Sequence, residues 1–145
     1  MPEMPFTGPA DDIAAIRDLL DTYADAVTQR DADAWGATWA EDGYWTMPDY
    51  PEFPSQTGRE NIVAMWVEAM KQFPGIMFEA WPGSIEVSGE SAKVRSYTSE
   101  TYDQGENTVR DRGEYQDECV KIDGRWYFKQ RAFKNIHKQV APKGV

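Results

Sequence analysis

Tyr23 and Glu118 are the side chains of this 145-residue sequence that best suit proton chemistry on a small organic molecule. Tyr23 recurs with Ile13, Ile16, Leu20 and Val27 at spacings of 3, 4, 3 and 4, the period of one helix face. Its ring therefore lies on an apolar stripe, and its hydroxyl ends deep in whatever that stripe packs against. A buried tyrosine hydroxyl needs a partner, which an oxygenated ring would supply; ordinary core packing is the competing explanation. Glu118 shares a strand face with Glu114, Gln116 and Val120. A type I′ turn at Asp123-Gly124 would pair Ile122 with Arg125, Val120 with Tyr127, Glu118 with Lys129 and Gln116 with Arg131. That face is either a solvated ladder of ion pairs worth ~0.2–1 kcal/mol each, or it points into a cavity. In a cavity, Glu118 needs Lys129, Arg131 or a proton to be tolerated.

Other chemistries find little support. His137 is the single histidine and follows the last apolar strand positions, which suits a surface residue better than a base. Cys119 has no histidine near it in sequence and reads as a packing residue; a lone cysteine forms no internal disulfide. No metal-ligand cluster, glycine-rich phosphate loop or dinucleotide fingerprint is present, so neither cofactor nor metal is expected. A net charge of −10 disfavours nucleic acid and anionic lipid as partners. No apolar run approaches a membrane span and no secretory leader is evident, which points to a cytoplasmic protein. No acid follows Asp123, whereas Arg125, Lys129, Arg131, Lys134, Lys138 and Lys143 do. The basic last strand is expected to lie beside acidic ones, with a solvated tail.

These residues must be positioned by a helical front half and a stranded back half. The stripe gives a helix over about Asp11–Arg30, and Asp31 can cap a second helix through Trp35 and Trp39, ended by Glu41-Asp42-Gly43. Tyr44–Met47 reads as a short strand, and Pro48, Pro51 and Pro54 stiffen the loop that follows. Thr57-Gly58-Arg59-Glu60 has the form of a capping box before a third helix carrying Ile62, Met65, Trp66, Ala69 and Met70. Four strands follow, Ile76–Val87, Ala92–Tyr102, Thr108–Ile122 and Arg125–His137, separated by turns. The chain reads as one α+β domain with its core over about 11–137, a flexible leader at 1–10 and a basic tail at 138–145.

Four segments, in this order, resemble the nuclear transport factor 2-like superfamily and its SnoaL-like, scytalone-dehydratase-like branch. They are Ile16-Arg-Asp-Leu-Leu-Asp-Thr-Tyr23-Ala, Trp39-Ala-Glu-Asp-Gly43-Tyr-Trp, Gly58-Arg-Glu-Asn-Ile62 and Ile122-Asp-Gly-Arg-Trp126-Tyr-Phe. The resemblance implies a cystatin-like cone, three helices on a curved antiparallel sheet that encloses an apolar pocket, usually in a dimer. The fold hosts both enzymes and binding modules. Dehydratases of this branch use an aspartate on the first helix and a histidine on the first long strand; those places hold Thr28 and Phe78 here. Ketosteroid isomerases place a base where Met47 stands, and pair a tyrosine with a protonated acid at places that fall on Tyr23 and, counted back from Asp123 without a gap, Glu118. Limonene epoxide hydrolases need an aspartate roughly where Arg131 stands. The resemblance thus implies a cofactor-free lyase or isomerase for a small hydrophobic ring compound, with Tyr23 and Glu118 as catalytic residues. Trp39, Met47, Trp66, Phe78, Arg131 and Phe133 are the expected pocket lining. The alternative is a non-catalytic binding or assembly module. A homodimer is expected to form on the sheet face carrying Trp126 and Phe128, whose aromatic row would otherwise be exposed.

Overall fold

Helix α1 (Ala10–Gln29) buries Ile16, Leu19, Leu20, Tyr23, Ala24, Ala26 and Val27, so that of the stripe expected from the spacing only Ile13 is no more than half-buried. It stops at Arg30 in the left-handed region (φ 55°), and the Asp31 amide folds back to the Ala26 carbonyl at 2.9 Å. Asp31 then caps α2 (Ala32–Gly36), its Oδ1 accepting from the Ala34 amide at 3.0 Å. The computed structural model describes residues 4–144. Within them, a seven-stranded sheet wraps around α1. Its strands are β1 (Phe6–Thr7), β2 (Trp39–Thr46), β3 (Gln56–Thr57), β4 (Met77–Ser88), β5 (Ser91–Gln104), β6 (Asn107–Ile122) and β7 (Arg125–Pro142), in the order β1-β4-β5-β6-β7-β2-β3. Helix α3 (Arg59–Ala69) and a 3₁₀ turn at Met70–Gln72 close one end. The class is α+β, as expected, and the four long strands pair antiparallel.

Several expectations need correction. Trp39 belongs to a strand, not to the second helix: β2 pairs parallel with β7, Trp39 opposite Phe128 and Trp45 opposite Arg131, and this pairing outweighs the local helical pattern. The sheet is therefore mixed rather than wholly antiparallel. It also reaches into both expected end segments, with Phe6 opposite Ile85 and Asn107 opposite Pro142. The capping box does not form. Thr57 is engaged in β3 opposite Tyr44, and the helix starts from Gly58 (φ 91°) without a side-chain cap. Among the described residues, no helix is long and apolar enough to cross a membrane.

The hairpin turn does form, with Asp123 at φ 50° and Gly124 at φ 81°, and pairs Ile122 with Arg125 and Val120 with Tyr127. Beyond that the register departs from straight counting. A bulge places Glu118 opposite Gln130 and Cys119 opposite Phe128, so Asp117, not Gln116, faces Arg131. One extra residue in β7 moves every later side chain to the other face. Arg131 and Phe133 thereby join Trp126 and Phe128 inside the cone. A second bulge, Arg112 opposite His137 but Gly113 opposite Asn135, returns the strand to its first phase. Gly113 leaves room for the ring of Phe133, since a Cβ there would lie 2.2 Å from it.

The face expected to form a homodimer is instead the interior: Trp126 and Phe128 are 3% and 0% exposed. The row that looked surplus in sequence is covered by α1. Trp126 Nε1 and Lys121 Nζ both reach Asp12 at the start of that helix, at 3.0 and 3.1 Å.

Candidate functional site

A cavity opens at the end of the cone between α1, α3, the loop after β2 and the inner face of the sheet. Its floor is Tyr23, Trp45, Phe78 and Tyr115, with the Trp45 indole donating to the Tyr115 hydroxyl at 3.2 Å. Tyr23 lies 5.8 Å from Phe78 and 5.5 Å from Phe128 between ring centroids. Burial pushes the hydroxyls of Tyr23 and Tyr115 above their ordinary pKa, against the pull of Arg131, so both are neutral donors.

The mouth is aromatic and is held in place by hydrogen bonds. The Arg30 guanidinium donates to the Met70 carbonyl at 2.8 Å and to that of Phe73, fixing two mouth residues. On the other side Asn135 donates its amide to Asp49 at 2.8 Å and its side chain to the Tyr50 hydroxyl at 3.0 Å, pinning the proline-rich loop to β7. The cavity encloses about 80 Å³. An engineered apolar cavity of roughly 150 Å³ admits benzene. A ring-bearing ligand therefore enters only as mouth side chains such as Tyr50, Phe53 and Phe73 move aside.

Two carboxyl groups interrupt this aromatic lining. Glu100 on β5 and Asp111 on β6 are direct cross-strand partners on the inner face. Asp111 is 4% exposed; its Oδ2 accepts from the Tyr102 hydroxyl at 2.9 Å, and its Oδ1 has no partner among the described residues. Burial, reinforced by Asp111 and opposed by Lys138, pushes the Glu100 carboxyl from 4.5 up to about 8. Burial likewise pushes Tyr50 up to about 12. A carboxyl that changes charge near neutral pH can both accept and deliver a proton.

Below the floor, Arg131 is 1% exposed and lies flat among rings, its Cζ 3.7 Å from the centroid of Tyr115, 4.1 Å from Phe128 and 4.4 Å from Tyr23. It grips Asp117 with two bonds, 2.7 and 3.1 Å, and donates to Ser96 Oγ at 3.1 Å. Burial lifts the Asp117 carboxyl above its ordinary range, and the guanidinium is the counter-charge that opposes this.

The residues expected from sequence divide between cavity, core and surface. Tyr23, Met47, Trp66, Phe78 and Phe133 line the cavity. Trp39 lies in the core and Arg131 beneath the floor. Glu118 is exposed on the outer face, so it neither meets Tyr23 nor is held by Arg131, while Lys129 pairs with Asp42. Trp81 is exposed beside Tyr97, away from the cavity, and His137 is exposed. Cys119 is buried, and burial pushes its thiol up, which suits a packing role. Thr28 and Phe78 do come together: the Thr28 hydroxyl accepts from the Phe78 amide at 2.9 Å, a contact with no titrating group. Among the described residues, no group of three or more His, Cys, Asp or Glu is placed to hold a metal ion. Sequence reading overlooked Glu100, Asp111, Tyr102 and Tyr50. The available signal was the Asp103–Glu106 turn, which sets Glu100 opposite Asp111 once Gln104 pairs with Asn107.

The fold is that of a known family. The chain belongs to the SnoaL-like domain family, whose profile matches residues 9–132. Its fold is similar to that of a protein provisionally named a scytalone dehydratase from Novosphingobium aromaticivorans DSM 12444, with 24% identity, a TM-score of 0.79, and coverage of 93% of this chain and 95% of that one. It is also similar to hexachlorocyclohexane dehydrochlorinase LinA-type3 from Novosphingobium barchaimii LL02, with 18% identity, a TM-score of 0.78 and coverage of 93% and 92%. A third similar structure, from Nostoc punctiforme PCC 73102, is described as a cystatin-like fold of unknown function, with 21% identity, a TM-score of 0.76 and coverage of 92% and 96%. Comparison with curated proteins gives no match.

Tyr23→Phe keeps the ring in its aromatic cluster, so it should cost the fold no more than ~0.5–1.5 kcal/mol, the value of one hydrogen bond. Urea unfolding checks this; a much larger loss would make the hydroxyl a structural strut rather than a group available to ligand.

Proposed function

We propose that this protein is a cofactor-free lyase or isomerase acting on a compact hydrophobic ring compound. The observation that carries the reading is the pairing of Glu100 with Asp111 at the wall of an otherwise apolar, largely aromatic cavity. As a carboxylate, Glu100 takes a proton from a carbon next to a carbonyl or a leaving group. As the acid so formed, it returns the proton to a different carbon, which is isomerisation, or to a departing oxygen, which is elimination. Neutral Tyr23 and Tyr115 hydroxyls donate to the oxygen on which charge develops. Burial, with Asp111 held beside it by Tyr102, keeps the proton affinity of Glu100 high. Dehydratase and dehydrochlorinase names among the structural relatives are compatible with proton abstraction followed by loss of a leaving group.

The test is incubation with single-ring hydroxy and keto compounds, with product analysis for every one that binds. Glu100→Gln should lower turnover ~10²–10⁴-fold with binding retained, and Tyr23→Phe ~100-fold or more. Turnover indifferent to Glu100→Gln would overturn this assignment. A second reading, a binding module without chemistry, draws on the Thr28–Phe78 contact, a bond between non-titrating groups at the two positions where the family resemblance implies an acid and a base. It predicts that every bound compound is recovered unchanged.

A further inference from the structure

We propose that the cavity takes a small organic ammonium ion, a protonated amine on a ring or short apolar group, with the cation seated at Asp111 and Glu100. This rests on the reading of the cavity as the ligand site and adds the charge of its ligand. The first observation is the orphaned oxygen. Asp111 is 4% exposed, and while Oδ2 has the Tyr102 hydroxyl, Oδ1 has no donor among the described residues. A buried acceptor left unsatisfied forfeits the hydrogen bond it would have made with water. The ligand that fits best brings a donor to that oxygen.

The second observation is charge. Among the described residues, no Lys, Arg or His lines the cavity, yet two carboxyl groups do. The groups facing Glu100 are Asp111 from β6, Tyr102 on its own strand, Tyr50 from the mouth loop and Lys138 from β7. Lys138 is the cross-strand neighbour of Asp111, but its side chain is exposed and its ammonium lies 5.6 Å from the Tyr50 ring at the mouth, in no salt bridge with either carboxyl among the described residues. Two adjoining carboxyls with no cation between them hold a proton on one of them. A bound ammonium supplies that positive charge instead, so its entry expels the proton to solvent and no covalent change occurs. A neutral hydroxyl would satisfy Oδ1 but leave the proton in place.

The third observation is the wall. Tyr50, Phe53, Phe73, Tyr115 and Phe133 line the cavity, with ring centroids 6.4 Å apart for Tyr50–Phe53, 6.2 Å for Phe53–Phe73, 6.0 Å for Tyr50–Phe133 and 4.9 Å for Tyr115–Phe133. Aromatic faces attract cations through the ring quadrupole. The same chain already uses that attraction for Arg131, whose guanidinium lies over three rings. The net charge of −10 draws cations toward the molecule as a whole.

Calorimetric titration of the full chain with benzylammonium and its neutral counterpart benzyl alcohol, in two buffers of different ionisation enthalpy, tests the proposal. Benzylammonium should bind about 10-fold or more tightly at neutral pH, the margin of a charge-assisted over a neutral hydrogen bond. The preference should grow from about pH 5 to about pH 8 while the ligand stays charged, with release of up to about one proton. Asp111→Asn should abolish the preference and Glu100→Gln the proton release; either variant suffices if the other fails to fold. Equal or weaker binding of benzylammonium overturns the proposal, as does no binding of either probe at millimolar concentration. Turnover of a neutral ring compound without any ammonium preference removes this inference and leaves the catalytic assignment standing. A clear ammonium preference with every ligand recovered unchanged does the reverse.

Discussion

Arg131→Met should be among the most damaging single substitutions in this chain, costing about 3–5 kcal/mol of stability. The substitution leaves the Asp117 carboxylate, whose side chain has no exposure, with only Ser96 as a partner. It also removes a planar cation from between the rings of Tyr23, Tyr115 and Phe128, which methionine fills in volume but not in charge. The remaining carboxyl then folds as the acid, with its pKa raised further. A group bound to a proton when folded and not when unfolded stabilises below its unfolded pKa, and that contribution is lost as pH rises through the folded value. The variant should therefore be closest to wild type in acid and fall away toward neutrality. Replacing both partners, as in Arg131→Met with Asp117→Leu, should recover most of the loss. Urea denaturation at several pH values measures all three. A loss below ~1 kcal/mol for the single variant would mean that the pair is no more than a screened surface bridge, against its burial.

Glu100→Gln should have its largest effect on stability in alkaline solution, where it is expected to make the fold more robust. Because the folded pKa is raised from 4.5 to about 8, the native protein holds a proton that the unfolded chain releases between those values. Stability of the wild type must then decline as pH rises through that window, and above it the full cost of ionised Glu100 is present. Glutamine occupies the same space, stays neutral and has no such decline. The difference in unfolding midpoint between variant and wild type should accordingly grow from about pH 5 to about pH 8 and level off beyond. Titrating groups remote from Glu100 are common to both proteins and cancel. A difference that does not change with pH would make Glu100 an ordinary solvated carboxylate and remove the proton-transfer role with it.

Much of the frame is legible in the chain because single, strong signals specify it. The α1 stripe is an unbroken helical period, and Asp123-Gly124 adopts the positive φ values that its hairpin turn demands. The sheet faces were harder to read, because their alternation is interrupted. Straight counting keeps Arg131 opposite Gln116 and assigns it, with Phe133, to the face of Glu118. The bulge between Glu118 and Cys119 transfers both to the other side. The carboxyl pair is obscure for a different reason. Ser96, Thr98 and Glu100 occupy the inward positions of β5, so the buried face of that strand looks polar and the solvent face does not look more so. Patterning finds elements whose buried face is apolar; it passes over a face whose polar groups are satisfied by one another or reserved for a ligand.

The two bulges give β7 something like a reading frame. Each adds one residue to the strand, and together they make a shift and its suppressor. Between them the frame is offset, and the offset stretch contains Arg131 and Phe133. Past the second, the original frame resumes, so that Lys138 lies opposite Asp111 while His137 lies opposite Arg112. The chain's one imidazole is thereby turned away from the carboxyl pair and its place on their face is taken by an amine. A single-residue insertion or deletion in this strand would consequently act as a substitution at every position downstream of it. Loss of the second bulge alone would exchange Lys138 for a neighbour beside Glu100 and Asp111, rewriting the proton chemistry of the cavity without changing an amino acid in its lining.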